Sequence, residues 1–388
     1  MSDIGLVLTG GGARGAYQVG VLSWIAKRYP DLDIPILTGV SAGAVNTAKL
    51  ATRTGSFAQA VEELRGLWGS LRVESVFRVE PWTLARTGWH WGTRLLSGGG
   101  DRAPAVKGLL DTQPLRDLLT EVMPNLRGEL NGINYNLERG ALRAVAIITT
   151  SYTTAQSVIF YQGKDIDPWR RPARRSIRAD LGIDHVMGSA ALPLFFPAVK
   201  ISDPVIGDHW YGDGGIRLAA PLSPALHLGA HRVLAISTRF DRSTAQAEQP
   251  SIVGYPPPAQ VLGVLLNSVF LDLIDQDVHR LERLNDVLAR TPPEQRNGLR
   301  LIRLMVMRPS RDLAMLAAGY ELELPRTFRF LTRGLGTRET RSPDILAMLM
   351  FEPDYLNAVM DLGERDAEAR AREIEAFIEG GDEYEDEP

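Results

Sequence analysis

Residues 4–22 read IGLVLTGGGARGAYQVGVL: a short apolar run, a loop of six residues that includes four glycines, and an amphipathic stretch. This is the order strand, tight turn, helix. It is repeated at once, with Ile34–Thr38 as a second strand and Ala42–Thr52 as a second helix. A βαβα order implies a parallel sheet. Further strands are expected at Leu142–Thr150, Ser157–Tyr161, Val233–Ser237 and Leu301–Met307, and a further helix at Phe57–Leu71. The fold class that follows is α/β, with a central, mostly parallel sheet.

The glycine loop has two readings. Gly10, Gly12 and Gly15 fit the G-x-G-x-x-G of a dinucleotide site, but that site also needs an acidic residue at the end of the second strand to bind ribose. Here Asp31 and Asp33 precede that strand, and its far end reads Gly39-Val40-Ser41-Ala42-Gly43. A G-x-S-x-G between strand and helix is a nucleophile elbow, in which the serine hydroxyl projects from a sharp turn at a helix N-terminus. Ser41 is therefore the candidate nucleophile. Acyl transfer creates an oxyanion, and the backbone amides of Gly10, Gly11, Gly12, Ala13, Arg14 and Gly15, at the end of the adjacent parallel strand, are the candidate hole that binds it.

A serine nucleophile also needs a base, usually histidine. His90 lies in an irregular segment, His185 and His209 precede the best acid candidate, and His279 falls within an amphipathic helix. His227 and His231 stand at i, i+4, but Leu228 occupies the place of the glutamate in a zinc helix and Gly229 weakens any helix there, so both read as structural. The other polar motif is Asp213-Gly214-Gly215, which in isolation reads as a turn.

Together the G-G-G-x-R-G loop, the elbow, the block Gly188-Ser189-Ala190-Ala191-Leu192-Pro193 and Asp213-Gly214-Gly215 resemble the patatin-like phospholipases over most of residues 4–240. Gly188 stands where many members carry alanine. The resemblance implies a three-layer α/β/α fold and a lipid acyl hydrolase in which Asp213 activates Ser41 without histidine, with Gly39, Gly43, Gly214 and Gly215 supporting the two motifs. No cofactor and no metal is implied. An aspartate of ordinary pKa, about 3.9, is a weak base at neutral pH; a dry site would raise it and nearby donors would lower it. A transacylase would use the same residues, and a silent lipid-binding scaffold would lack their chemistry.

Composition fits a globular protein, with 44% hydrophobic and 23% charged residues, and a net charge of -4 argues against nucleic acid. The opening apolar run stops at Thr9, short of a signal-peptide core of about 7 to 15 residues, and no stretch approaches the roughly 20 residues that span a bilayer. A cytoplasmic protein with peripheral membrane contact and an acyl lipid substrate is expected. A catalytic unit over 1–245 is followed by a mainly helical extension, 246–388, with one long amphipathic helix reaching about Arg290 and an acidic tail at 380–388. Two features bear on membranes. Trp82, Trp89 and Trp91, in the irregular stretch 72–111, suit an interfacial lid or ordinary packing under a loop. Trp169-Arg170-Arg171-Pro172-Ala173-Arg174-Arg175 is a basic patch, read first as a solvated, salt-bridged face and second as a contact for anionic headgroups.

Overall fold

The computed structural model describes residues 3–78, 89, 108–204, 206–248, 252, 254–270, 273–334, 336–337 and 343–380. Ten strands form one sheet: β1 (Ile4–Leu8), β2 (Ile36–Val40), β3 (Ala144–Ser151), β4 (Gln156–Gly163), β5 (Arg170–Arg171), β6 (Arg174–Arg178), β7 (Val199–Asp203), β8 (Gly207–Asp213), β9 (Arg232–Ile236) and β10 (Arg303–Met307). The order is β10-β9-β1-β2-β3-β4-β6-β5, and off this path β8 pairs with β3 and β7 with β8. From β10 to β3 all neighbours are parallel, whereas β4 runs antiparallel to β3. Alternation along the strands assigns side chains to the two faces. Leu6, Leu8 and Leu37 belong to one buried cluster, and Val7, Ile36 and Val40 to the other. A strand buried on both faces reads as a continuous apolar run, which is why β1 and β2 are plain in the sequence.

The first face is covered by α1 (Ala16–Arg28), α2 (Ala42–Ala51), α3 (Phe57–Ser70) and the helix Pro353–Ala369, which packs along α1. The second cluster includes Ile274, Val278 and Leu281 from the helix Leu273–Leu288. The result is the expected α/β/α layering, with the C-terminal helices contributing to both layers and β10 extending the sheet.

Several boundaries differ from the sequence reading. β2 begins two residues after Ile34, because Pro35 intervenes without an N–H; its carbonyl accepts from Arg143 and Ala144. The expected long helix consists of Pro258–Phe270 and Leu273–Leu288, the two residues between lying outside the described ones. The sequence Asp111-Thr112-Gln113-Pro114 allows either Asp111 or Thr112 to cap the helix Gln113–Val122, and it is Asp111 Oδ1 that accepts from the Gln113 amide at 3.0 Å. Trp82, His90, Trp91, Gly98–Gly100 and the tail from 381 lie outside the described residues, and Trp89 is exposed. Among the described residues no helix is long and apolar enough to cross a membrane.

Candidate active site

Ser41 follows β2 directly and caps α2 with φ 56° and ψ -127°. A non-glycine residue there costs about 1–3 kcal/mol, a strain kept only where surrounding structure enforces it. The enforcement is visible at Gly43, where a Cβ would overlap the Leu8 carbonyl. Helix α2 can approach β1 this closely only with glycine at that place, and Gly39 flanks the turn on the other side.

Asp213 reaches the same point from the opposite direction. Val40 lies opposite Ile148, but β3 continues through Ser151, beyond the end of β2. Strand β8 takes the open place beside that overhang, antiparallel to β3, with Asp213 opposite Thr149. The ends of β2 and β8 thus meet head-on along one side of β3, with Ser41 and Asp213 at the junction.

Asp213 is completely buried, and its Oδ1 accepts from the Gly215 amide at 2.9 Å. Oδ2 is buried without an aligned hydrogen-bond partner. Burial pushes the carboxyl up to about 7, opposed first by the Ser41 hydroxyl and then by the Gly215 amide. The two open possibilities of the sequence reading therefore resolve in favour of desolvation.

A residue not singled out as functional holds this junction together. Ser189 Oγ accepts from the Ser41 amide at 3.0 Å and donates to the Ile148 carbonyl at 2.6 Å. Two residues on, the Ala191 carbonyl accepts from the Asp213 amide at 3.0 Å. The block Gly188–Pro193 thus grips both motifs. The available signal was a lone hydroxyl in the apolar run around it, since a buried hydroxyl needs partners.

The glycine loop passes beside the serine: a Cβ built on Gly10 would stand 3.0 Å from the Ser41 Cβ. Gly12–Gly15 form a 3-10 turn leading into α1, in which the Arg14 amide donates to the Gly11 carbonyl at 3.2 Å. The Arg14 side chain turns away to the C-terminal region. Its guanidinium is buried and pairs with Asp344 at 3.2 Å, while Nε donates to the Gly11 carbonyl at 3.4 Å. Burial raises the Asp344 carboxyl against the opposing pull of Arg14.

Ser41 and Gly12 open onto an apolar cavity of about 60 Å³ walled by Trp68, Leu119, Leu192 and Phe351, among others. None of the described histidines lines it. His185 Nδ1 accepts from the Gly182 amide at 3.0 Å, and burial lowers its pKa to about 4, so it stays neutral as a helix cap. His227 stacks on Trp169 at 4.6 Å, His231 lies 3.8 Å from Asp3, and exposed His279 lies 3.3 Å from Glu282.

The profile of the patatin-like phospholipases matches residues 6–226, more than half of the 388-residue chain. The chain belongs to this family. No curated protein sequence matches it. Among solved structures it is similar to human GIVD cytosolic phospholipase A2, at 10% identity and a TM-score of 0.47, over 97% of this chain and 62% of that one. It is also similar to VipD from Legionella pneumophila, at 13% identity and a TM-score of 0.30, over 91% and 66%. A third is the ExoU–SpcU complex of the Pseudomonas aeruginosa type III secretion system, at 15% identity and a TM-score of 0.24, over 98% and 77%. The chain spans less than two thirds of the human enzyme's length. The patatin-like match stops well before Met348, Leu349 and Phe351, which nevertheless line the Ser41 cavity.

Proposed function

We propose that this patatin-like protein hydrolyses carboxylic esters of phospholipids or related acyl lipids through a Ser41–Asp213 dyad and an acyl-enzyme. The observation that carries the reading is a serine hydroxyl acting on a fully buried carboxyl whose pKa stands at about 7, beside an apolar cavity. A base is most effective when its pKa lies near the working pH, and desolvation brings an aspartate into that range.

In the proposed reaction Ser41 Oγ attacks the ester carbonyl carbon while its proton passes to Asp213. The carbonyl oxygen becomes an oxyanion. Because the Arg14 amide is committed to Gly11, the earlier amides of the run, Gly10 to Ala13, are the donors we assign to it. Removing one donor from such a hole costs about 2.7–4 kcal/mol of transition-state stabilisation. Collapse of the intermediate expels the alcohol, which takes the proton from Asp213, and the acyl group stays on Ser41. Water then repeats the sequence on the acyl-enzyme, losing a proton to Asp213 and releasing the fatty acid. An acceptor alcohol in place of water would make the protein a transacylase, and product analysis with and without glycerol separates the two. The apolar walls suit an acyl chain, and a cytoplasmic protein in peripheral contact with a membrane suits such a substrate.

The test is labelling with a fluorophosphonate, which reacts quickly only with a hydroxyl activated beside an oxyanion hole. Wild-type protein is expected to label on Ser41 alone, and Ser41→Ala to lose both labelling and turnover of a soluble chromogenic ester. Labelling that persists in Ser41→Ala would overturn the reading, and a wild-type protein that neither labels nor turns over would leave a silent lipid-binding protein.

A further inference from the structure

The register of the sheet places the basic patch in line with the candidate active site. Asp213 lies opposite Thr149, Thr149 opposite Val158, Val158 opposite Arg175, and Arg175 opposite Arg170. The next row runs Gly212, Thr150, Ser157, Arg174 and Arg171. At about 4.8 Å per strand, Arg175 stands about 14 Å and Arg170 about 19 Å from Asp213 across the sheet. Four arginines thus occupy the end of the sheet at which Ser41 and Asp213 meet.

The salt-bridged reading of this patch does not hold in the structure. Among the described residues no carboxylate forms an ion pair with Arg170, Arg171, Arg174 or Arg175. Burial and the neighbouring charge of Arg171 both lower the Arg174 pKa. Asp277, the acid that opposes them, is engaged by the Leu222 amide at 2.8 Å. Arg170 and Arg171 are exposed, on an edge strand two residues long. Farther along the overhang of β3, Tyr152 and Trp210 are joined by a backbone bond of 2.8 Å, and about half of each residue is exposed. Guanidinium groups outside any ion pair, at the same end of the sheet as half-exposed amphipathic rings, have the chemistry of an interface between lipid and water.

We propose that the β5–β6 hairpin, with Tyr152 and Trp210 alongside, docks this protein on an anionic lipid surface and so brings the Ser41 end of the sheet to the membrane. The choice of lipid over another polyanion rests on the acyl-hydrolase reading. A simpler role for edge-strand charge is to prevent edge-to-edge pairing of sheets, and the test must separate the two.

Full-length Ser41→Ala protein, which cannot consume the lipid, is mixed with phosphatidylcholine vesicles with and without phosphatidylserine, at low and high salt, and bound protein is measured by flotation. Binding is expected only with phosphatidylserine and is expected to weaken with salt. Each arginine near an anionic surface contributes about a fivefold gain in partitioning, so adding R170Q/R171Q should weaken binding about 30-fold. In the Ser41 background, R170Q/R171Q should leave soluble-ester turnover unchanged while slowing hydrolysis of anionic vesicles. Equal binding to neutral and anionic vesicles would overturn the proposal, as would unaltered binding by R170Q/R171Q. Light scattering that shows R170Q/R171Q self-associating with vesicle binding intact would assign the arginines to edge protection, and retention on heparin without vesicle binding would assign them to another polyanion; either result overturns the proposal. Binding is scored without turnover, so failure of the Ser41 chemistry and failure of docking are read separately.

Discussion

Asp213→Asn separates a buried base from a buried structural carboxylate, because the two roles predict opposite changes in stability. Asparagine has nearly the same shape, and its Oδ1 can keep the 2.9 Å bond from the Gly215 amide, but it cannot take a proton from Ser41. Turnover of a soluble chromogenic ester should therefore fall by about 10²- to 10⁴-fold, the range that general-base catalysis supplies. The carboxyl pKa is raised from 3.8 to about 7. At about 1.4 kcal/mol per pH unit, ionising it in the folded protein costs up to about 4 kcal/mol. The sign follows from proton counting. Between about pH 4 and 7 the folded state holds a proton that the unfolded state has released, so wild-type stability falls as pH rises through that window, and the whole penalty is present above pH 7. The substituted amide cannot ionise, so the variant should gain stability relative to wild type across that window and keep the gain above it. Denaturant unfolding at pH values on both sides of 7 measures this, alongside wild-type kcat/KM, which should rise through about pH 7 as the carboxylate forms. Turnover within tenfold of wild type would refute the assignment of the base. Lost turnover accompanied by lost stability above pH 7 would refute the desolvation argument.

Two further substitutions probe the surroundings. Ser189→Ala leaves the buried Ser41 amide and Ile148 carbonyl without their partner, so denaturant unfolding should show a loss of about 1–3 kcal/mol, with kcat falling more than KM; unchanged kcat would show that the Ser41 turn holds itself. Phe351→Ala should cost about 3–5 kcal/mol and shift the preferred chain length of chromogenic esters upward; an unchanged preference would mean that the C-terminal region only encloses the cavity without setting its length.

How much of the site was legible depended on how local its determinants are. β1, the glycine loop, β2 and the elbow could be read directly, because a doubly buried strand followed by a glycine turn leaves its mark within about 15 residues. Taken alone Asp213 read as an Asp-Gly-Gly turn, and only the family resemblance joined it to Ser41; its place beside Ser41 depends on β8 pairing antiparallel with the overhang of β3, a register that no short stretch encodes. The Ser189 bridge to Ile148 spans 41 residues, and the Arg14–Asp344 pair spans 330. The arginines of the β5–β6 hairpin read most simply as salt-bridged, because sequence reports neighbours along the chain and not which carboxylates come within ion-pair distance of a folded edge; among the described residues none does.

The same geometry accounts for a base without histidine in the proposed dyad. In a Ser-His-Asp site the imidazole spans the gap from the serine to a carboxylate, and that carboxylate orients it. Here the opposed ends of β2 and β8 bring Ser41 to the carboxyl itself, so the gap for an imidazole is closed. What remains is to orient a short side chain. The Gly215 amide holds one oxygen, and the Ala191 carbonyl holds the Asp213 backbone in register. The Asp-Gly-Gly turn supplies from its own backbone what the third residue of a triad supplies from elsewhere. Burial then raises the carboxyl to a pKa of about 7, near that of the imidazole it replaces.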